Sequence, residues 1–89
     1  MEKEIQFSEH AILKMRRLET LGISVTLEAI VDIIRFPDKL EIEQDDKMIV
    51  QKQFDDRRVL RVVYHEFSAF ILVITLYPGQ RSRYEKDSL

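Results

Sequence analysis

The sequence contains no cysteine and no tryptophan, and only two glycines and two prolines among its 89 residues. Without cysteine there is neither a disulfide framework nor a thiolate metal site, a composition that suits a reducing cytoplasm. Two histidines alone make a poor zinc site, so neither a metal nor a cofactor is expected. Gly22 and Gly79 stand far apart, which excludes a glycine-rich phosphate loop. The longest apolar run, residues 69–77, is broken by Thr75 and falls far short of the roughly 20 residues that a membrane-spanning helix needs. The opening "MEKEIQFSEH" alternates charged and apolar side chains and lacks the apolar centre of a signal peptide. A soluble, cytoplasmic chain with no membrane partner is the expectation.

What is present is a core-forming composition. At 45% apolar residues, a chain of this length predicts a single domain over residues 1–89. The net charge of −2 argues against a general nucleic-acid binder. The charges are nevertheless sorted. Residues 38–46, "DKLEIEQDD", gather five acids against Lys39. Basic side chains gather at Lys14, Arg16 and Arg17, at Arg57, Arg58 and Arg61, and at Arg81, Arg83 and Lys86.

Periodicity divides the chain in two. Ser8 precedes a stretch with Ala11, Ile12, Met15 and Leu18 on one face, and Gly22 supplies the left-handed stop, predicting a helix over about 9–20. Ser24 or Thr26 caps a second helix carrying Leu27, Ile30, Val31 and Ile34, which Pro37 ends. Beyond Pro37 the period changes to that of strands: "LEIEQ", a turn at Asp45-Asp46, "KMIVQKQF", a turn at 55–57, then "VLRVVYH" and "AFILVITLY". Short links between these runs imply antiparallel neighbours. The predicted architecture is α+β, with two N-terminal helices packed on a four-stranded antiparallel sheet. Its expected core is Ile12, Met15, Leu18, Ile30, Val31, Ile34, Val62, Ile71, Val73 and Leu76.

Five pieces in order, "SEHAILKM", "LGIS", "RFPD", "VLRVVY" and "VITLYP" followed by "RSRY", span residues 8–84. This pattern resembles the small prokaryotic family known as domain of unknown function 4258, which looks allied to the BrnT and RelE toxins. The resemblance implies a RelE/BrnT-like α+β fold, a toxin–antitoxin context with an antitoxin-like protein partner, and single-stranded RNA as the substrate of a metal-independent endoribonuclease. An equally fold-compatible alternative is a noncatalytic protein-interaction module.

Internal cleavage of RNA needs a base for the 2′-hydroxyl, cations for charge building on phosphorus, and an acid for the leaving oxygen. His10 lies in the first helical turn, where the helix dipole favours the neutral, proton-accepting ring, with Lys14 and Arg17 on neighbouring positions of the wheel. It serves equally well as a residue that caps its own helix. Arg61 interrupts an apolar strand, either as a solvated side chain or as an anion ligand. Pro78-Gly79 ends the last strand, and Arg81, Arg83 and Tyr84 follow; arginines grip a phosphodiester, and tyrosines stack on bases or donate protons. The candidate catalytic set is therefore His10, Arg61, Arg83 and Tyr84, with Lys14, Arg17, Tyr77 and Arg81 binding substrate. It requires the first turn of helix one and the arginine-rich end of the chain to meet over one strand surface. The acidic 38–46 segment reads as an edge strand kept soluble by charge.

Overall fold

A computed structural model of the chain describes residues 3–85; Lys86 of the last basic group lies outside them. The element order is β1 (Glu4–Phe7), α1 (Glu9–Thr20), α2 (Leu27–Arg35), β2 (Lys39–Ile42), a 3-10 turn (Gln44–Asp46), β3 (Lys47–Gln53), β4 (Arg58–Glu66), β5 (Phe70–Gln80) and α3 (Arg81–Tyr84).

The local signals act where the sequence places them. The Ser8 hydroxyl oxygen accepts a hydrogen bond from the Ala11 N–H at 3.0 Å, satisfying one of the free donors at the start of α1. The same hydroxyl donates to the Ile74 carbonyl at 2.9 Å, and the Ser8 N–H donates to Val73, so one residue both caps α1 and hooks it to β5. Gly22 takes a φ of 83°, in the left-handed region that ends helices. Thr26, rather than Ser24, caps α2 through the Ala29 N–H. Phe36, before Pro37, has already left helical geometry. Asp45 and Asp46, with φ of 65° and 61°, turn the chain from β2 into β3.

The sheet runs β1-β5-β4-β3-β2. The expected antiparallel meander from β2 to β5 is present. A fifth strand corrects the four-stranded expectation: β1 lies parallel to β5, with Ile5 opposite Ile71 and Phe7 opposite Val73. A four-residue strand whose partner lies more than sixty residues on has no turn to announce it, and the connection that a parallel pair requires runs through α1, α2 and the whole β2–β4 meander. α3 is a third helix that the expectation also lacked.

Alternation sends Leu60, Val62 and Leu76 to one face, where α1 and α2 bury them with Ala11, Leu18, Ile30 and Ile33. The helices sit rotated from the expected faces. Ala11 and Ile33 are buried, whereas Ile12, Met15, Val31 and Ile34 are half-buried, as is Ile71 on β5, and Leu27 is 47% exposed. Ala11, with no bulk beyond Cβ, is fully buried where α1 packs on β5. A bulge in β5 leaves Ile74 without a register partner between Val73 and Thr75. Among the described residues no helix is long and apolar enough to cross a membrane.

Candidate functional site on the open sheet face

Among the described residues the other face of the sheet carries no long helix. Arg61 and Tyr77 face each other there across β4 and β5, Gln51 flanks Arg61 on β3, and Glu41 of β2 lies opposite Ile49, on the same side. The strand β4 thus has Leu60 and Val62 in the core and Arg61 between them on the opposite surface.

Arg61 is nonetheless only 5% exposed. Its Nε donates to the Tyr77 hydroxyl at 2.9 Å, and its Nη1 donates both to Gln51 Oε1 and to Glu41 Oε2, the latter at 3.3 Å. The Tyr84 ring lies over the guanidinium, 4.4 Å from ring centre to Cζ, and the Tyr77 ring lies at 5.7 Å. Burial opposes the charge more than any other single influence. The acceptors on Tyr77 and Glu41 together outweigh it, so the Arg61 pKa is raised and the group stays cationic.

Tyr84 reaches this position because α3 folds back over the end of β5. A Cβ on Gly79 would collide with the Tyr84 ring, so the glycine is what lets the ring lie flat against the strand. The Gln51 amide donates to the Tyr84 carbonyl at 3.4 Å, joining the strap to the polar group beneath it. Arg83 also lies near this ring, its Cζ 5.6 Å from the centre, and is exposed and without a carboxylate partner among the described residues. Arg81 anchors α3 instead. Its Nε donates to Glu85 at 2.8 Å, its Nη1 to the Asp56 carbonyl at 3.1 Å, and its N–H to the Arg57 carbonyl. The Asp55 carboxylate accepts from the Arg57 and Arg58 N–H groups and from Arg58 Nε, building the turn that α3 leans on. Those bonds, the Arg57 N–H first, hold the Asp55 carboxyl below its ordinary value against the opposing effect of desolvation.

Four of the residues singled out from sequence are therefore brought together: Arg61, Tyr77, Arg83 and Tyr84. Three are not. His10, Lys14 and Arg17 lie on α1, in the layer that covers the Leu60 face, and the sheet separates them from the Arg61 group. The meeting of the first turn of α1 with the end of the chain does not occur. His10 is exposed and makes no hydrogen bond or ion pair among the described residues. The serine before it, not the histidine, does the capping and faces β5.

Sequence reading missed Glu41 and Gln51. Glu41 was one acid among five in an alternating edge strand. Only the β2-β3-β4 register, which puts Gln51 opposite both Lys39 and Arg61, gives it a neighbour. The signal was its parity: Glu41 and Lys39 share the side opposite Leu40 and Ile42. Lys39 Nζ lies 3.8 Å from the Glu41 carboxylate, which leaves that carboxylate between two cations and a third exposed. Among the described residues no group of three or more histidines and carboxylates has metal-holding geometry.

Neither a family model, a curated protein nor a solved structure matches this chain.

Proposed function

We propose that the chain is a toxin-type domain of the RelE/BrnT kind that cleaves single-stranded RNA without a metal, on the open sheet face around Arg61. The resemblance of residues 8–84 to domain of unknown function 4258 supports this reading. One observation carries it: a guanidinium held inside a sheet face, with a carboxylate at 3.3 Å and a phenol at 2.9 Å on the same surface. A carboxylate, a fixed cation and a phenol are the three parts that transesterification at a 2′-hydroxyl requires.

In this reading Glu41 replaces His10 as the base. Its carboxylate takes the 2′-hydroxyl proton while that oxygen attacks phosphorus. Arg61 and Arg83 neutralise the charge growing on the phosphoryl oxygens, and the Tyr77 or Tyr84 hydroxyl gives its proton to the departing 5′-oxygen. The products are a 2′,3′-cyclic phosphate and a 5′-hydroxyl. Tyr84 offers its ring face to an unpaired base once Arg61 binds phosphate in its place. Arg81, tied to Glu85 and to the Asp56 carbonyl, positions α3 rather than gripping substrate. The toxin class adds an antitoxin-like protein as partner and the cytoplasm as the place of action.

Purified protein incubated with single-stranded RNA in the presence of a chelator tests the reading. Cleavage that falls about 10²–10³-fold in Glu41→Gln and Arg61→Lys, the range for removing one charge-stabilising donor, and persists in His10→Ala, is the expected result. Absence of cleavage in the unaltered protein ends it. A noncatalytic module is favoured by one fact, that Arg61 is nearly covered and bonded to three protein acceptors. That reading expects Arg61 substitution to lower stability and to leave RNA untouched.

A further inference from the structure

The edge strand β2, whose Glu41 belongs to the site above, presents a second surface along its outer edge. The Glu43 N–H donates to the Lys47 carbonyl at 2.7 Å, in the register that pairs Glu41 with Ile49 and Lys39 with Gln51. Bonding alternates along an antiparallel pair, so Lys39 and Glu41 turn their backbone groups toward β3. Leu40 and Ile42 turn theirs outward, to an edge with no neighbouring strand among the described residues. The side chains of these two residues point to the helix side of the sheet and remain 49% and 72% exposed, and Phe36, at the end of α2, is 65% exposed.

Charge or proline usually protects such an edge against pairing. Here the outward-bonding residues are both apolar. The charges sit on the alternate positions and in the turn beyond: Glu41, Glu43, Asp45 and Asp46 against Lys39. Any strand added along β2 would meet an apolar row on one face and, on the other, the paired Lys39 and Glu41 leading into the acids Glu43, Asp45 and Asp46, which make no ion pair among the described residues. We propose that β2 accepts an extended segment of another protein as a sixth strand, and that this segment alternates apolar with basic side chains. Backbone bonds to Leu40 and Ile42 would supply affinity, and the alternating rows would supply selection.

A fluorescently labelled peptide of about ten residues, alternating valine with lysine, tests this by anisotropy against the full chain. Saturable binding is expected, weakened about tenfold when the lysines become glutamates and when alternate backbone nitrogens are N-methylated. Ile42→Lys, at a position already facing solvent, is expected to weaken it similarly while leaving the thermal midpoint unchanged. The N-methylated peptide keeps its full charge, so equal binding of that peptide reduces the effect to charge attraction and overturns the proposal. Equal binding of the acidic peptide, no binding at all, or a concentration-dependent dimer in sedimentation also overturns it. None of these readouts follows RNA cleavage, so failure of this proposal leaves the cleavage reading to its own assay.

Discussion

The two faces of this sheet are built from the same strands and held by different forces. On the helix-covered face, Leu60, Val62, Val73 and Leu76 are fully buried against Ala11 and Ile30, and the contact is apolar throughout. On the open face, Arg61 is almost as deeply buried, yet by a tyrosine ring, a phenol, a glutamine and a carboxylate. The first face gains stability with every buried methylene. The second gains little from ion pairing, because desolvation offsets attraction, and what it holds is one cation in one place. Most of the apolar core therefore lies on one face and the candidate chemistry on the other, where Val59 and Ile49 are also buried.

Core truncation breaks the comparison most severely. Leu76→Ala, at a fully buried position, is expected to cost about 2–5 kcal/mol in urea unfolding. A cost below about 1 kcal/mol would mean that the helix-covered face is not the main source of stability. Arg61→Ala comes next. It leaves the Gln51 amide and the Glu41 carboxylate without their donor, and one unsatisfied buried polar group costs about 1–3 kcal/mol, toward the lower end here because Glu41 is a third exposed. Gly79→Ala sharpens the contrast further. It forces Tyr84 off the strand while leaving the core intact, so cleavage should fall by more than stability, and the Tyr84 ring resonances should shift in NMR spectra.

A pH titration distinguishes the turn beneath α3 from both faces. The Asp55 carboxyl is lowered from 3.8, so below that value the unfolded chain takes up the proton first. The stabilising effect is complete above pH 3.8 and disappears as pH falls through the lower, folded value. Faster amide exchange at Arg57 and Arg58 should appear in that window, and not at pH 5 or above. The smallest effect belongs to His10→Ala, expected within about 0.5 kcal/mol in stability because an exposed, unpaired side chain is removed.

Local signals were legible in the sequence. Ser8, Gly22, Thr26 and Pro37 mark helix ends, and each acts through atoms within a few residues of itself. The meander was legible for the same reason, since its turns are short. β1 was not, because Glu4–Phe7 acquires meaning only beside Phe70–Val73. Four of the six side chains of the candidate site were legible. Arg61 stands out as a charge inside an apolar strand, but the break expected at Pro78-Gly79 is absent: β5 runs through both residues to Gln80, with Pro78 opposite Leu60 and beyond the stretch that β1 covers, where a missing N–H is tolerated. Glu41 and Gln51 were hidden because their role depends on register across three strands, a property that alternation alone leaves undetermined. His10 misled because helical-wheel proximity says which residues share a helix face but not which side of the sheet the helix covers.

The central claim is that the open face around Arg61 is where RNA meets this protein. Titration with a short single-stranded RNA, made uncleavable by removing its 2′-hydroxyls, followed by amide NMR, tests it directly. The expected shifts cluster at Glu41, Gln51, Arg61, Tyr77 and residues 79–85, with α1 silent. Shifts centred on His10, Lys14 and Arg17, or none at any RNA concentration, would contradict it.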